Sequence, residues 1–278
     1  DQYGSVIGCI KGSRPGPRLL FDGHIDTVPV GDPNAWTHDP FAAQIEDGRI
    51  YGRGTSDMKG AVAAMACAAA NCFEGVAARA ISAYVKPDYV IIGEPSQLNL
   101  KIGQRGRAEI VVETFGKPCH SANPEKGINA VYKMARVIEA IRTLTPTHHP
   151  VLGDGILELT DIKSSPYPGA SVVPEYCRAT YDRRLLVGET MESVLAPIQA
   201  LLDRMQNEDP ELKVQVSYAQ GKEMCHTGNE IQGARFFPGW LFDENADFVQ
   251  AVYHELHEMG YAPEITRYNF CTNGSHYA

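Results

Sequence analysis

Short apolar segments that end abruptly at polar turns dominate the first hundred residues, and they constrain the fold more than any other feature of the sequence. Residues 18–21 read as a buried strand that stops at Asp22, and residues 89–92 as a second one that stops at Gly93. Between them, residues 60–70 are rich in Ala, Val and Met and predict a helix. Strands that alternate with helices are typical of an α/β fold with a parallel sheet.

A second pattern begins near Gly103, where the predicted order becomes strand, helix, strand, strand, helix, strand. The strands are predicted at residues 108–114, 156–162, 176–185 and 212–218, and the helices at 129–144 and 189–205. This order is the split β-α-β arrangement of a ferredoxin-like domain. We therefore expect residues 104–219 to form an inserted domain, with residues 1–103 and 220–278 as the first and second parts of the α/β domain. In the second part we expect a loop after Gly221 and a helix at 244–259.

Composition excludes several classes of partner. The 278 residues are 44% hydrophobic and carry 25 Lys and Arg against 34 Asp and Glu, a net charge of −9. This balance argues against nucleic acid or an anionic membrane and favours a small molecule. The sequence has no apolar run near the roughly 20 residues of a membrane span and no signal-peptide character, which predicts a cytoplasmic protein. Its seven cysteines include no C-x-x-C pair, so a bound metal would need nitrogen and oxygen ligands.

Three side chains at or just after predicted strands and turns could supply such ligands: His24, Asp57 and Glu94. In open α/β sheets the carboxyl ends of the strands form the ligand crevice, so these residues are expected to converge. One imidazole and two carboxylates suit zinc, and cobalt or manganese are acceptable alternatives. Asp26 is placed to accept the other ring N–H of His24 and fix its tautomer. A His-x-Asp pair alone is weak evidence, because most isolated buried histidines are structural.

The segments around these residues form a series that is far more specific than any one of them. The series comprises LLFDGHIDTVP at 19–29, Trp36 with Asp39-Pro40-Phe41, DGRIYGRGTSDMKG at 47–60, IGEPS at 92–96, and CHSANP at 119–124 with GINA at 127–130. It resembles the metallopeptidase and deacylase family that includes acetylornithine deacetylase, succinyl-diaminopimelate desuccinylase, aminoacylase and carboxypeptidase G. The resemblance covers essentially the whole chain and extends to a branch described as selenium-metabolism-linked hydrolases.

The resemblance implies a zinc-peptidase-like catalytic domain with an inserted ferredoxin-like lid and dimerisation domain. It implies hydrolysis of an amide bond in a small N-acyl amino acid or dipeptide-like substrate, with one or two zinc ions per subunit and a homodimer formed through the lid. His24 and Glu94 would bind one metal ion, and Asp57 would bridge to a second. Asp26 and His120 would serve catalysis, with His120 reaching the partner subunit's active site to stabilise the oxyanion.

Three further residues are expected to bind substrate by the same resemblance. Arg184 would grip a substrate carboxylate as a bidentate fork. Asn129 belongs to the lid motif, and Asn273 lies where relatives carry a glycine-rich substrate-binding turn with an Asp. Considered individually, Arg184 reads as an ion-paired strand residue and His120 as a helix cap, so both interpretations stay open at this stage.

The sequence departs from the family pattern at the second metal. Relatives carry a Glu-Glu pair, one residue of which is the general base and the other a ligand, and this sequence contains no such pair. The corresponding segment is reduced to ANCFEG at 70–75, and the final ligand His is expected after Ala278. We expect these residues to lie outside this sequence, since the sheet itself needs more chain. The alternative is a non-catalytic metal- or ligand-binding member of the fold that lacks the base and the second metal.

Overall fold

The computed structural model describes residues 6–9, 15–68, 86–224 and 230–277. Its helices are α1 (Gly60–Ala68), α2 (Ala130–Ile141), α3 (Met191–Glu208) and α4 (Asp247–Glu258). Its strands are β1 (Leu19–Asp22), β2 (Gln44–Glu46), β3 (Arg49–Tyr51), β4 (Tyr89–Ile92), β5 (Leu100–Gln104), β6 (Gly106–Phe115), β7 (His148–His149), β8 (Gly153–Asp154), β9 (Ile156–Ser165), β10 (Tyr176–Leu185), β11 (Lys213–Tyr218), β12 (Gln220–Met224), β13 (Glu230–Ala234), β14 (Phe236–Phe237), β15 (Trp240–Leu241) and β16 (Ile265–Tyr268).

The predicted ferredoxin-like domain is confirmed in its element order and in its sheet. Its four long strands pair in the order β11-β6-β10-β9, and every pairing is antiparallel. Helices α2 and α3 connect these strands and pack on the sheet. We call this unit the lid. The fold class, an α/β catalytic domain with an inserted ferredoxin-like domain, is therefore confirmed.

The lid folds because its strands and helices each present one apolar face. Helix α2 buries Ala130, Met134, Val137 and Ile141, which recur every three or four residues and so lie on one side of the helix. Strand β6 buries alternate residues against the helices, including Ile110, while its other face carries the partly exposed Arg107, Glu109 and Glu113 beside the buried Val111. The lid sheet thus has a core face and an open face, and the open face can line a cleft.

The α/β part places two strand ends side by side. Strands β1 and β4 are parallel, with Asp22 opposite Ile92 in register. Because parallel strands share one carboxyl edge, the residues that follow them, including His24 and Glu94, emerge next to each other. A second small sheet has the order β15-β5-β16, in which β5 and β16 are parallel.

The chain after Gly221 differs from its prediction. The predicted loop contains the hairpin β12–β13, and two-residue strands follow it. One of these, β14, pairs with β6 of the lid although it lies beyond residue 219, the predicted lid boundary, which stays a prediction. Such short strands show no detectable alternation, so only their pairing defines them. The segment without a Glu-Glu pair, at 70–75, lies outside the described residues.

Within the part of the chain that the structure describes, no helix combines the length and the hydropathy that a bilayer span requires.

Candidate metal centre

The structure brings together all three predicted metal ligands. His24 Nε2 lies 3.3 Å from Asp57 Oδ1 and 3.9 Å from Glu94 Oε1. One ligand atom from each residue lies within 4.8 Å of the other two. Zinc binds nitrogen and oxygen at about 2.1 Å, so tetrahedral ligands lie about 3.4 Å apart. The 3.3 Å between His24 and Asp57 matches this spacing and the donor types suit zinc, while Glu94 would have to move closer to share the ion.

Two glycines allow helix α1 to approach both strand ends closely. A Cβ on Gly23 would lie 2.8 Å from Val62 Cγ2, and a Cβ on Gly93 would lie 2.9 Å from Ala61 Cβ. A larger residue at Gly93 would push α1 away from the sheet, because the Cβ of Ala61 cannot rotate aside, and one at Gly23 would force Val62 to move. The glycines that precede His24 and Glu94 thus set the position of the helix that follows Asp57.

Asp26 holds the second nitrogen of the His24 ring. His24 Nδ1 lies 3.1 Å from the Asp26 carbonyl oxygen and 3.2 Å from its Oδ1. Both partners are acceptors, which favours the tautomer with the proton on Nδ1 and a lone pair on Nε2. Nε2 is the atom that faces Asp57 and Glu94, so the ring is oriented for a metal bond.

The electrostatics of the cluster favour a cation. The Glu94 side chain is only 9% exposed. Burial raises the pKa of its carboxyl, and the negative charges of Asp57 and Asp22 raise that pKa further, while His24 lowers it. A divalent ion between these groups would reverse the repulsion between the carboxylates. The Asp57 side chain is 59% exposed, so the cluster is open to solvent at Asp57.

Asn273 supports the cluster from behind. Its Nδ2 donates a hydrogen bond of 2.9 Å to Asp22 Oδ2 at the end of β1. Asp22 is 1% exposed, and burial raises the pKa of its carboxyl, which the bond from Asn273 partly offsets. The residue predicted to bind substrate therefore holds the strand end from which His24 projects.

Sequence reasoning missed Gln104, which fixes the turn that carries Asn273. Gln104 is fully buried, and its Oε1 accepts bonds from the Thr272 amide at 3.0 Å and the Thr272 hydroxyl at 2.6 Å. Its Nε2 donates to Ser275 Oγ at 2.9 Å. No motif marks this residue. The residue ends a short strand, Leu100–Gln104, whose sequence LKIGQ has no pattern that would single out the amide side chain.

In the described part of the chain, His120 and Arg184 are not members of the ligand cluster and make other contacts. His120 is exposed, and its Nδ1 accepts the Ala122 amide at 3.1 Å. Arg184 forms an ion pair, with its Nε 2.7 Å from Asp182 Oδ1. The interpretation of Arg184 as ion-paired is thus observed, and a substrate role for it would use its remaining donors.

Asn129 caps helix α2. Its Oδ1 accepts the Val131 amide at 2.9 Å and the Tyr132 amide at 3.3 Å. This contact satisfies two of the amides that the first helical turn leaves without partners. The side-chain oxygen is therefore occupied, and only the amide nitrogen could serve the predicted substrate role.

We predict that Asn129→Ala lowers the free energy of unfolding by about 1 kcal/mol, the usual cost of a lost N-cap. Urea denaturation of both proteins measures this difference. Asn129→Ser is the control, since serine also caps helices, and it should unfold like the wild type. If Asn129 only caps the helix, the serine variant should keep its activity. If the serine variant loses activity at normal stability, Asn129 also binds substrate.

Comparisons with known proteins agree with the geometry. The model of peptidase family M20/M25/M40 matches residues 20–77, and that of a peptidase dimerisation domain matches residues 102–210. The uncharacterized protein YgeY of Escherichia coli (strain K12) is 31% identical over 302 residues, covering 99% of this chain and 72% of that protein. Succinyl-diaminopimelate desuccinylase 2 of Ruegeria sp. (strain TM1040) is 32% identical, and the match covers 62% of this chain and 51% of that enzyme.

Solved structures share the fold at lower identity. The M20 family metallo-carboxypeptidase Sso-CP2 from Sulfolobus solfataricus superposes with a TM-score of 0.68 at 16% identity, covering 99% of this chain and 76% of that one. Aminopeptidase PepT from Bacillus cereus superposes with a TM-score of 0.64 at 17% identity, covering 98% of this chain and 72% of that one. Both matches extend across the catalytic and lid domains of this chain.

Proposed function

Because the chain belongs to peptidase family M20/M25/M40, we propose that it is a metal-dependent hydrolase that cleaves the amide bond of a small N-acyl amino acid or dipeptide-like substrate. The observation that carries this proposal is the convergence of His24, Asp57 and Glu94 within 4.8 Å. The relatives include a desuccinylase and two peptidases, which supports amide bonds as the target. The chain spans about half the length of the desuccinylase. The identity of the acyl group that is removed is therefore part of the proposal.

Zinc is the ion that these donors suit best, with cobalt or manganese as alternatives. When bound, zinc polarises a carbonyl oxygen and lowers the pKa of a coordinated water. His24 and Glu94 would hold the ion from the strand ends, and Asp26 keeps the His24 ring in its binding orientation. The exposed Asp57 lies on the open side of the cluster and would be the carboxylate available to a second ion.

The lid serves two further roles in this proposal. The match to a peptidase dimerisation domain supports a homodimer formed through the lid. In that dimer His120, which is exposed in the single chain, reaches the partner subunit's cleft and donates a hydrogen bond to the developing oxyanion. Arg184 grips a substrate carboxylate with its terminal nitrogens.

The test is a hydrolysis assay of the zinc-loaded protein on N-acetyl amino acids, N-succinyl amino acids and dipeptides, with metal content measured in the same samples. We expect release of free amine from at least one class, and loss of that activity when a chelator removes the metal. Metal binding without turnover of any class would instead support a binding member of the fold, the alternative to which the missing Glu-Glu pair points.

A further inference from the structure

Two arginines lie directly opposite each other on the open face of the lid sheet. Arg107 of β6 pairs with Arg184 of β10 in the antiparallel register, so their side chains leave the same face as neighbours. Like charges in this position repel each other unless an anion separates them. Asp182 is that anion: its Oδ2 lies 2.7 Å from Arg107 Nε and its Oδ1 lies 2.7 Å from Arg184 Nε.

A single carboxylate does not neutralise this group. Glu109 also lies on the open face, 3.7 Å from Arg107 Nη2, but it is shared with Arg235 Nη1 at 3.3 Å. Both Arg107 and Arg184 meet Asp182 through Nε, so their terminal nitrogens remain potential donors, although Nη2 of Arg107 also faces Glu109.

The register also shows where this pair lies relative to the metal centre. Phe237 pairs with Arg107 on the other side of β6, so its ring leaves the same open face. That ring packs edge-on against His276, with 5.7 Å between ring centroids. His276 ends the turn Asn273–His276, and Asn273 of the same turn donates to Asp22 beside the metal ligands.

The Cys271 thiol, just before this turn, interacts electrostatically with both arginines. Burial raises the pKa of Cys271, and the positive charges of Arg184 and Arg107 act in the opposite direction. Both guanidinium groups are partly exposed, at 38% for Arg107 and 28% for Arg184. The arginine pair therefore lies near the turn Asn273–His276, which contacts Phe237 on one side and Asp22 of β1 on the other. Both arginines stay accessible to a ligand.

We propose that Arg107 is a second substrate-binding residue, which together with Arg184 holds one carboxylate of the substrate. The inference rests on the proposed function and narrows it. The preferred substrates are amides that carry a free carboxylate, and an analogue with a neutral amide in that place loses the contact. Arg107 determines specificity, because its guanidinium binds the substrate carboxylate and does not contact the amide bond that is cleaved.

The test compares Arg107→Met with the wild type on two probes, N-acetyl-L-methionine and N-acetyl-L-methioninamide. The second carries a neutral carboxamide where the first carries a carboxylate. Acetate release measures kcat/KM with the zinc-loaded protein. We expect Arg107→Met to lower kcat/KM for the acid about tenfold or more, because a charge-assisted hydrogen bond is lost. The kcat/KM for the neutral amide should stay nearly unchanged. Arg107→Lys should recover part of the loss, since it restores the charge without the fork.

The matched control is Arg178→Met. Arg178 lies on the same strand and face as Arg184, about 20 Å along β10, and donates to Thr180 Oγ1 at 2.9 Å. This variant should have the wild-type kcat/KM for both probes. An equal effect of Arg107→Met on both probes, or no effect on either, would overturn the inference while leaving the hydrolase intact.

Isothermal titration calorimetry separates failure of this inference from failure of the proposed function. If no variant turns over either probe, the proposed function fails for these substrates. Tighter binding of the acid than of the amide by the wild type, lost in Arg107→Met, would still support the carboxylate site. Equal affinity of the wild type for the two probes would refute it.

Discussion

Replacing His24 with alanine is expected to reduce the affinity for zinc by at least about 100-fold, because removal of even a residue that only supports a ligand costs 10- to 100-fold. His24 contributes the one nitrogen donor of the cluster, 3.3 Å from Asp57 Oδ1 and 3.9 Å from Glu94 Oε1. Without it, two carboxylates remain, and they repel each other. Zinc content after dialysis against a buffered free-zinc concentration measures the effect, and turnover should fall with occupancy.

His38→Ala is the matched control for this variant. His38 belongs to the same part of the chain, where it stacks on Tyr51 with 3.9 Å between ring centroids and lies 3.1 Å from Glu46 Oε2. Its removal should leave the zinc content at the wild-type level. Asp26→Asn should fall between the two, since it weakens the orientation of the His24 ring but removes no ligand. Unchanged zinc content in His24→Ala would exclude His24 from the centre.

Replacing His120 with alanine is expected to lower kcat by about 100- to 1,000-fold, the usual cost of one oxyanion-stabilising donor. The metal content should stay normal, because His120 makes no contact with the ligand cluster among the described residues. The side chain is exposed, so its removal opens no cavity and should leave the unfolding midpoint in place. Steady-state kinetics on the zinc-loaded protein measures the loss. His148→Ala, a change of another exposed lid histidine, is the control.

A mixture of His120→Ala and His24→Ala subunits tests whether His120 acts across the dimer. Each variant alone should be nearly inactive. After subunit exchange, each mixed dimer carries one site with an intact metal centre and the partner's His120, so about a quarter of the wild-type activity should return. Failure of the mixture to recover activity, with subunit exchange verified by mass spectrometry, would contradict action across the interface.

The elements of the fold could be predicted from the sequence because their signals are local. The strand predicted at 176–185 is found at Tyr176–Leu185, and the helix predicted at 129–144 is found at Ala130–Ile141. Both segments are long enough for their apolar periodicity to stand out. The short strands β12 to β15 could not be predicted in this way, since two to five residues contain too few repeats to show a period.

The candidate ligands could also be predicted, because each follows a recognisable strand or glycine-rich turn. Their convergence is now seen in the structure, while their role as metal ligands stays a prediction. The role of Asn129 could not be inferred in the same way. A motif indicates that a residue matters, but it does not distinguish a contact to substrate from a contact to the residue's own helix.

The sequence alone therefore determined the long strands and helices, and which polar side chains stand at the ends of β1 and β4. Only the tertiary structure decided that Gln104 fixes the turn beside Asp22, and that Arg107 meets Arg184 across one carboxylate. The physical reason is sequence distance. Helical and strand periodicity arise between near neighbours, whereas partners that lie 75 or 168 residues apart meet only when sheet register and core packing bring their strands together.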